Sequence, residues 1–219
     1  WYRSRGLGDV YKRQISSSDT GEATVTSSLT FTSANWDTAK TVTVTGVDDN
    51  IIDGTQTSTI TVTVVDAITD DDFDAVADQT VSVTTTDDDV AGFTIAETNG
   101  STGVTEAGST DLFTVVLNAQ PTTDVVLTIS SGDTGEATVT SSLTFTAANW
   151  DTAQNVTVTG ADDDIVDGSV TSTITVAIND GSSDDNFDAV ADQTVSVTTT
   201  DDDVAGFTIA ETEGSTGVD

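Results

Sequence analysis

Apolar and hydroxyl residues alternate along most of this chain, and between residues 90 and 203 the alternation falls into about seven short runs. Phe93 and Ile95 mark the first run, and Phe113, Val115 and Leu117 the second. Val125, Leu127 and Ile129 form the third, Leu143 and Phe145 the fourth, Val156 and Val158 the fifth. Ile174, Val176 and Ile178 make the sixth, Val195 and Val197 the seventh. Turn residues separate them: Asn118-Ala119-Gln120-Pro121, Ser131-Gly132-Asp133, Gly160 and Asn179-Asp180-Gly181. A period of two with Thr or Ser on the opposite face predicts antiparallel sheets with one face on a core and one in water. No stretch has the period of a long helix.

The pattern repeats. Residues 15–105 align with 129–219 at a constant offset of 114, and 18 of the 91 positions differ. A period this long is too great for solenoid units and suits successive sandwich domains. The expected fold class is all-β: tandem immunoglobulin-like antiparallel β-sandwiches, about seven strands per 114-residue repeat. The expected organisation is a truncated repeat over 15–89 lacking its first strands, a complete repeat over 90–203, and the first strand of a third repeat in 204–219. Residues 1–14 fall outside the scheme. They hold four of the five basic residues and both tyrosines, and resemble adapter-derived sequence, so they are expected to be a non-native leader and an artefact. Trp36 and Trp150 occupy equivalent Asn-Trp-Asp-Thr-Ala segments and are expected to plug one end of each sandwich.

Charge narrows the chemistry. The chain carries 38 acidic and 5 basic residues, a formal charge of −33. Such a surface repels nucleic acid and anionic membranes, and no apolar run is long enough for membrane insertion as a helix. The absence of Cys and His removes disulfides, thiol nucleophiles, the commonest general base and the commonest zinc ligands.

The acids cluster at strand ends. Asp162-Asp163-Asp164-Ile165-Val166-Asp167 follows the fifth run, Asp184-Asp185-Asn186-Phe187-Asp188 precedes the seventh, and Asp201-Asp202-Asp203 ends the repeat. The truncated repeat carries Asp48-Asp49-Asn50-Ile51-Ile52-Asp53 and Asp87-Asp88-Asp89. Solvated loop charge explains acidity in general. It explains less well the concentration of acids at strand ends with few Lys or Arg nearby. Carboxylates and carbonyls without His or Cys form a hard oxygen site, suited to Ca²⁺, which accepts six to eight oxygens with loose geometry. The spacing is not that of an EF-hand: with Gly168 at loop position six, Ile165 and Ile174 stand where acids are needed.

In order and spacing these segments resemble the Calx-β domain family. The matching pieces are Val104-Thr105-Glu106-Ala107-Gly108, Leu143-Thr144-Phe145, Val156-Thr157-Val158, the acidic loop through Asp167-Gly168, and Thr198–Gly206. The resemblance implies a seven-stranded immunoglobulin-like module that binds Ca²⁺, found in tandem arrays in large bacterial surface proteins. By position, its ligands would be Glu106, Asp162, Asp163, the carbonyl of Ile165, Asp167, Asp201, Asp202 and Asp203. In the truncated repeat they would be Asp48, Asp49, Ile51, Asp53, Asp87, Asp88 and Asp89, with the partner glutamate upstream of the chain start. The chain departs from the family at Asp167, where Glu is common, and at Val170, where a further acid is common. The segment between Asp133 and Phe145 lacks a Ser-Asp-Tyr element, and Asp133 and Glu136 are the acids available to replace its ligand. Fewer ions or weaker binding than in exchanger domains is therefore expected.

The leading functional expectation is a non-enzymatic, calcium-binding structural module of an extracellular bacterial adhesin or surface protein. Its partners would be neighbouring repeats of the same chain, whose junctions Ca²⁺ would stiffen, with a cell-surface or carbohydrate ligand bound elsewhere in the full protein. Competing readings are an ion-independent acidic spacer, a Thr-rich β-surface for carbohydrate or ice, and a hydrolase using paired carboxylates. Near-identical repetition of the acidic loops favours scaffolding over catalysis.

Overall fold

The computed structural model describes residues 10–65, 73 and 75–210. It divides into two compact units between Asp89 and Val90. Unit 1 contains β1 (Val10–Ser17), β2 (Ala23–Val25), β3 (Ser28–Thr32), β4 (Val44–Gly46), β5 (Gln56–Val64) and β6 (Gln79–Thr85). These form a four-stranded sheet in the order β3-β1-β5-β6 and a two-stranded sheet β2-β4.

Unit 2 contains β7 (Phe93–Glu97), β8 (Thr102–Thr105), β9 (Thr110–Leu117), β10 (Val125–Ser131), β11 (Ala137–Val139), β12 (Ser142–Phe145), β13 (Gln154–Gly160), β14 (Val170–Ile178) and β15 (Gln193–Thr200). Its sheets run β12-β10-β14-β15-β8 and β11-β13-β9-β7. All pairs are antiparallel except β15 with β8. The alternating apolar residues meet between the two sheets. Phe113, Val115, Val156 and Val158 from one sheet, and Leu127, Phe145, Ile174 and Val197 from the other, are buried. This is the all-β sandwich that period-two patterning predicts.

Two strands exceed the seven expected. β11 holds only three residues, too few to show alternation. β8 arises because the chain switches sheets after β7. Asn99 (φ 57°) and Gly100 (φ 82°) take left-handed conformations that an Asn-Gly pair adopts readily. The Thr102 hydroxyl donates to Glu97 Oε2 at 2.8 Å, tying the two sides of this turn.

Near-identical sequence packs differently in unit 1. Val158 is fully buried in unit 2, whereas its equivalent Val44 is 36% exposed; Val195 is 3% exposed and its equivalent Val81 58%. The reason is the missing neighbour. Among the described residues of unit 1, nothing stands where β7, β8 and β9 stand in unit 2. Trp36 is consequently exposed, while Trp150 is half-buried.

Val10–Gln14, within the segment expected to be a non-native leader, form the first part of β1. That strand pairs with β3 and β5, with Arg13 opposite Leu29 and Val64. Strand pairing is a backbone property, so a side-chain pattern unlike that of β10 can take the position that β10 occupies in unit 2. Tyr11 and Arg13 stand where Val125 and Leu127 stand in β10, and Tyr11 packs at a tilt against Phe73 with ring centroids 4.5 Å apart. Residues 204–210, expected to begin a third first strand, form none. Phe207 and Ile209 are exposed, and residues 211–219 lie outside the described residues.

Packing predicts unequal costs for one substitution. Phe145→Ala empties a fully buried site and is expected to destabilise unit 2 by about 3–5 kcal/mol. Phe31→Ala, at the half-buried equivalent, is expected to cost less than half as much in unit 1. Hydrogen exchange across the two units measures both.

Candidate metal centre

Strand register delivers carboxylates to one end of unit 2. β8 and β15 run parallel, with Thr105 paired to Thr200, so Glu106 and Asp201 leave adjacent strands side by side. The Glu106 N–H donates to the Thr200 carbonyl at 3.1 Å, extending the ladder by one step. On the other sheet, Ala137 of β11 pairs with Gly160 of β13, and the Ala161 N–H donates to the Glu136 carbonyl at 2.8 Å. Glu136 is thereby held beside the start of the acidic loop. Gly160 permits the approach of the two sheets: a Cβ there would fall inside contact distance of the Thr105 carbonyl.

Carboxylate oxygens of Glu106, Glu136 and Asp167 lie within 4.8 Å of one another, as do those of Glu106, Asp163 and Asp203. Glu106 belongs to both groups. It is 1% exposed, and neither of its carboxylate oxygens has a hydrogen-bond partner. Glu136 Oε2 and Asp203 Oδ2 are likewise buried without partners.

The electrostatics follow from this geometry. Burial pushes Glu106 above the usual carboxylate range, and the charges of Asp201, Asp163 and Asp167 push it further. The Asp202 N–H tempers the shift without meeting hydrogen-bond geometry. Glu136 is raised by burial and then by Asp167, Asp133, Asp163 and Asp201. Asp203 is raised by burial and then by Asp164, Asp201, Asp202 and Asp162.

Asp201 behaves oppositely. Its Oδ2 accepts from the Gly168 N–H at 2.7 Å and its Oδ1 from the Asp203 N–H at 2.7 Å. These bonds lower its pKa. Gly168 takes φ 79°, the left-handed geometry that presents this amide. Asp201 thus anchors the acidic loop to the end of β15. Asp163 Oδ1 accepts from the Ile165 N–H at 2.6 Å, shaping the loop itself. Asp162 and Asp202 are exposed at the periphery, outside both groups.

Unit 1 repeats the arrangement, with no counterpart of Glu106 among its described residues. Asp48, Asp49, Ile51, Asp53, Asp87, Asp88 and Asp89 line one small pocket together with Glu22. Carboxylate oxygens of Glu22, Asp49 and Asp53 approach within 4.8 Å of one another. Asp87 plays the part of Asp201, accepting from Gly54 N–H at 2.7 Å and Asp89 N–H at 2.8 Å, and its pKa is lowered by these bonds. Glu22 is raised, by burial and then by Asp53 and Asp49. Asp89 is raised by burial and then by Asp87 and Asp88.

Glu136 and its equivalent Glu22 were not in the set carried by the family resemblance. The available signal was position: a glutamate immediately before a short Ala-Thr-Val strand. The second acidic cluster has a different role. Asp184 is buried, and its carboxylate accepts from the Thr122 N–H (2.6 Å), the Thr122 hydroxyl (2.7 Å), the Thr123 N–H (3.0 Å) and the Asn186 N–H (3.0 Å). Burial alone would raise its pKa, but the Thr122 hydroxyl and these amides outweigh it and hold the group low. Asp184 is a satisfied clamp between the turn at Pro121–Asp124 and the strand-to-strand connection before β15.

The donor chemistry at Glu106 fits a hard cation. All side-chain donors are carboxylates, there is no thiol or imidazole, and buried oxygens aimed into the cluster have no protein donor. Glu106, Glu136, Asp163, Asp167 and Asp203 are the residues placed to hold it.

Two outcomes follow. Asp184→Ala is expected to cost roughly 2–4 kcal/mol, equally with and without calcium, in urea unfolding. The raised groups (Glu106, Glu136, Asp203) favour the fold when protonated, so their contribution fades as pH rises through their raised values. The lowered groups (Asp201, Asp184) favour the fold when ionised and lose that contribution only as pH falls through their lowered values. Calcium-free protein is therefore expected to melt at a higher temperature at about pH 5 than at pH 7.5, and to lose stability only further into acid.

No protein-family model matches the chain. No curated protein matches it. Among solved structures it is similar to domains 4 and 5 of the S-layer protein SbsC, with 18% identity, covering 86% of this chain and 70% of that one, at a TM-score of 0.41. It is similar to a longer piece of the same S-layer protein, with 19% identity, covering 90% of this chain but 21% of that one, at a TM-score of 0.40. It is also similar to the apo form of the Calx CBD1 domain, with 18% identity, covering 51% of this chain and 98% of that one, at a TM-score of 0.37.

Proposed function

We propose that this chain is a calcium-binding structural module of an extracellular repeat protein, and that its acidic loop ends are cation sites. The observation that carries the proposal is Glu106. A buried carboxylate without donors, facing Asp163, Asp167, Asp203 and Glu136, is unfavourable unless a proton or a cation shares the space. At neutral pH a divalent cation satisfies several of these oxygens at once. Bound there, calcium would join the ends of β8 and β15 to the loop after β13. Three residues, Val204–Gly206, separate Asp203 from Phe207 in sequence. An ion on Asp203 would stiffen the point where one repeat passes into the next.

Burial of the cluster also weighs against hydrolysis. A glycosidase needs two carboxylates open to a substrate on either side of a scissile bond. Here Glu106 and Glu136 are covered, and an ion can occupy the space where a sugar cannot.

Extracellular calcium modules bind at about 10⁻⁴–10⁻³ M, and the same range is expected here. Calcium at ten to a hundred times its Kd would then add about 1.4–2.7 kcal/mol to stability. Calorimetric titration of the full chain, paired with thermal melting, tests the reading. Glu106→Gln is expected to weaken calcium binding about tenfold to a hundredfold and yet to raise the melting temperature of the calcium-free protein, because it removes an unpaired charge. Glu136→Gln is expected to act in the same directions. No heat of binding and an unchanged melting temperature in calcium would instead favour an ion-independent acidic spacer, with the buried glutamates held protonated.

A further inference from the structure

Four Asn-Gly or Asp-Gly steps occur in the chain: Asp53-Gly54, Asn99-Gly100, Asp167-Gly168 and Asp180-Gly181. At such a step the backbone nitrogen of the glycine can attack the side-chain carbonyl carbon of the residue before it, because no Cβ shields that nitrogen. Two of the four are guarded. The Gly54 N–H donates to Asp87 Oδ2 and the Gly168 N–H to Asp201 Oδ2, each at 2.7 Å. A nitrogen engaged in a charge-assisted bond keeps its proton and stays where the bond holds it. In all three Asp steps the acceptor is a carboxyl group, which when ionised is a poorer electrophile than an amide.

Asn99-Gly100 presents an amide instead. Both residues are exposed. They lie in a three-residue 3₁₀ turn, Thr98–Gly100, that contains no buried residue. The Ser101 N–H closes this turn on the Thr98 carbonyl at 3.4 Å, a long bond in the weaker of the common helical geometries. Ring closure needs the 99–100 peptide to rotate until the Gly100 nitrogen eclipses Asn99 Cβ. Around Gly100 the space for that rotation is open, since a Cβ there would meet nothing within 4 Å. Glycine at φ 82° also has the freedom to absorb the compensating change.

We propose that Asn99 is a site of spontaneous deamidation and backbone rearrangement. The Gly100 nitrogen gives up its proton and bonds to the Asn99 side-chain carbonyl carbon. The bond from that carbon to the side-chain nitrogen breaks, and the nitrogen leaves as ammonia with the proton. Solvent water then opens the cyclic imide at either carbonyl, giving aspartate or isoaspartate. No oxidant or reductant takes part. Aspartate keeps the normal backbone and tolerates a positive φ as Asn does. Isoaspartate carries the main chain through Cβ and adds one methylene to the connection where the chain switches from the sheet of β7 to that of β8. The bond from the Thr102 hydroxyl to Glu97 spans the lengthened segment, so this product loosens the turn. The inference does not depend on calcium binding.

Ageing the full chain at physiological temperature over a series of pH values tests it, with ion-exchange separation, peptide mapping and enzymatic detection of isoaspartate as readouts. A free peptide of sequence 96–103 is aged alongside. The expected result is loss of Asn99 to a mixture of aspartate and isoaspartate, faster as pH rises, and ahead of any change at Asp53 or Asp167. The isoaspartate fraction is expected to melt below the unaged chain. Asn99→Gly keeps a residue that accepts the positive φ and is expected to abolish the earliest acidic species. Asn99 surviving intact after the free peptide has been converted overturns the proposal, as does isoaspartate appearing first at Asp53 or Asp167, or the earliest acidic species persisting in Asn99→Gly. An isoaspartate fraction that melts with the unaged chain overturns the effect assigned to the turn.

Discussion

A carboxylate kept from water, from hydrogen-bond donors and from positive charge is the constraint on which the end of this sandwich turns. Glu106 is in that position because of backbone geometry. It is the first residue beyond a parallel strand pair, so it emerges beside Asp201. The opposite sheet comes close enough to cover it because Gly160 has no side chain. The acidic loop is then tied to the end of β15 by the Gly168 N–H, which donates to Asp201. Each element brings another carboxylate and none brings a cation. Apolar packing elsewhere has to hold this arrangement together against its own repulsion, unless an ion removes the repulsion.

The two units separate what sequence does from what neighbours do. The strand orders correspond, β3-β1-β5-β6 in one and β12-β10-β14-β15 in the other, and shared residues form an acidic cluster in each. Yet valines that are buried in one are half-exposed in the other, because burial belongs to the pair of facing sheets and not to the strand alone. The acidic loops survive the loss of facing strands better than the core does. Asp87 keeps both of its amide bonds in unit 1, since loop and strand end are local partners.

Much of this was legible in the residues. Period-two runs marked the strands, the 114-residue offset marked the repeat, and the runs of aspartate marked the loops that converge. What escaped had physical reasons. β8 was hidden because four residues show too little alternation, and the sheet switch rests on backbone angles at Asn99 and Gly100. Glu136 could be named only as an alternative to Asp133, because the choice depends on which strand pairs with β13, a long-range fact. The three consecutive aspartates looked equivalent, but hydrogen-bond geometry gives them separate parts. Asp201 is a backbone anchor, Asp202 faces solvent, and Asp203 turns an unpartnered oxygen inward. Asp184, acidic in a loop like the others, proved a satisfied clamp because four donors from Thr122, Thr123 and Asn186 surround it. That Val10–Gln14 pair as a strand was not legible from their side chains, since backbone pairing alone can recruit a strand.

The central claim is that a cation completes the Glu106 cluster. The most direct measurement is a crystal structure at neutral pH from calcium-containing solution, with anomalous scattering used to locate calcium. The account predicts an anomalous peak at about 2.3–2.6 Å from a Glu106 carboxylate oxygen, with Asp163 and Asp203 or Glu136 and Asp167 among the other ligands. A cluster without such a peak, its Glu106 oxygens bonded to each other's neighbours through shared protons or to water, would contradict it.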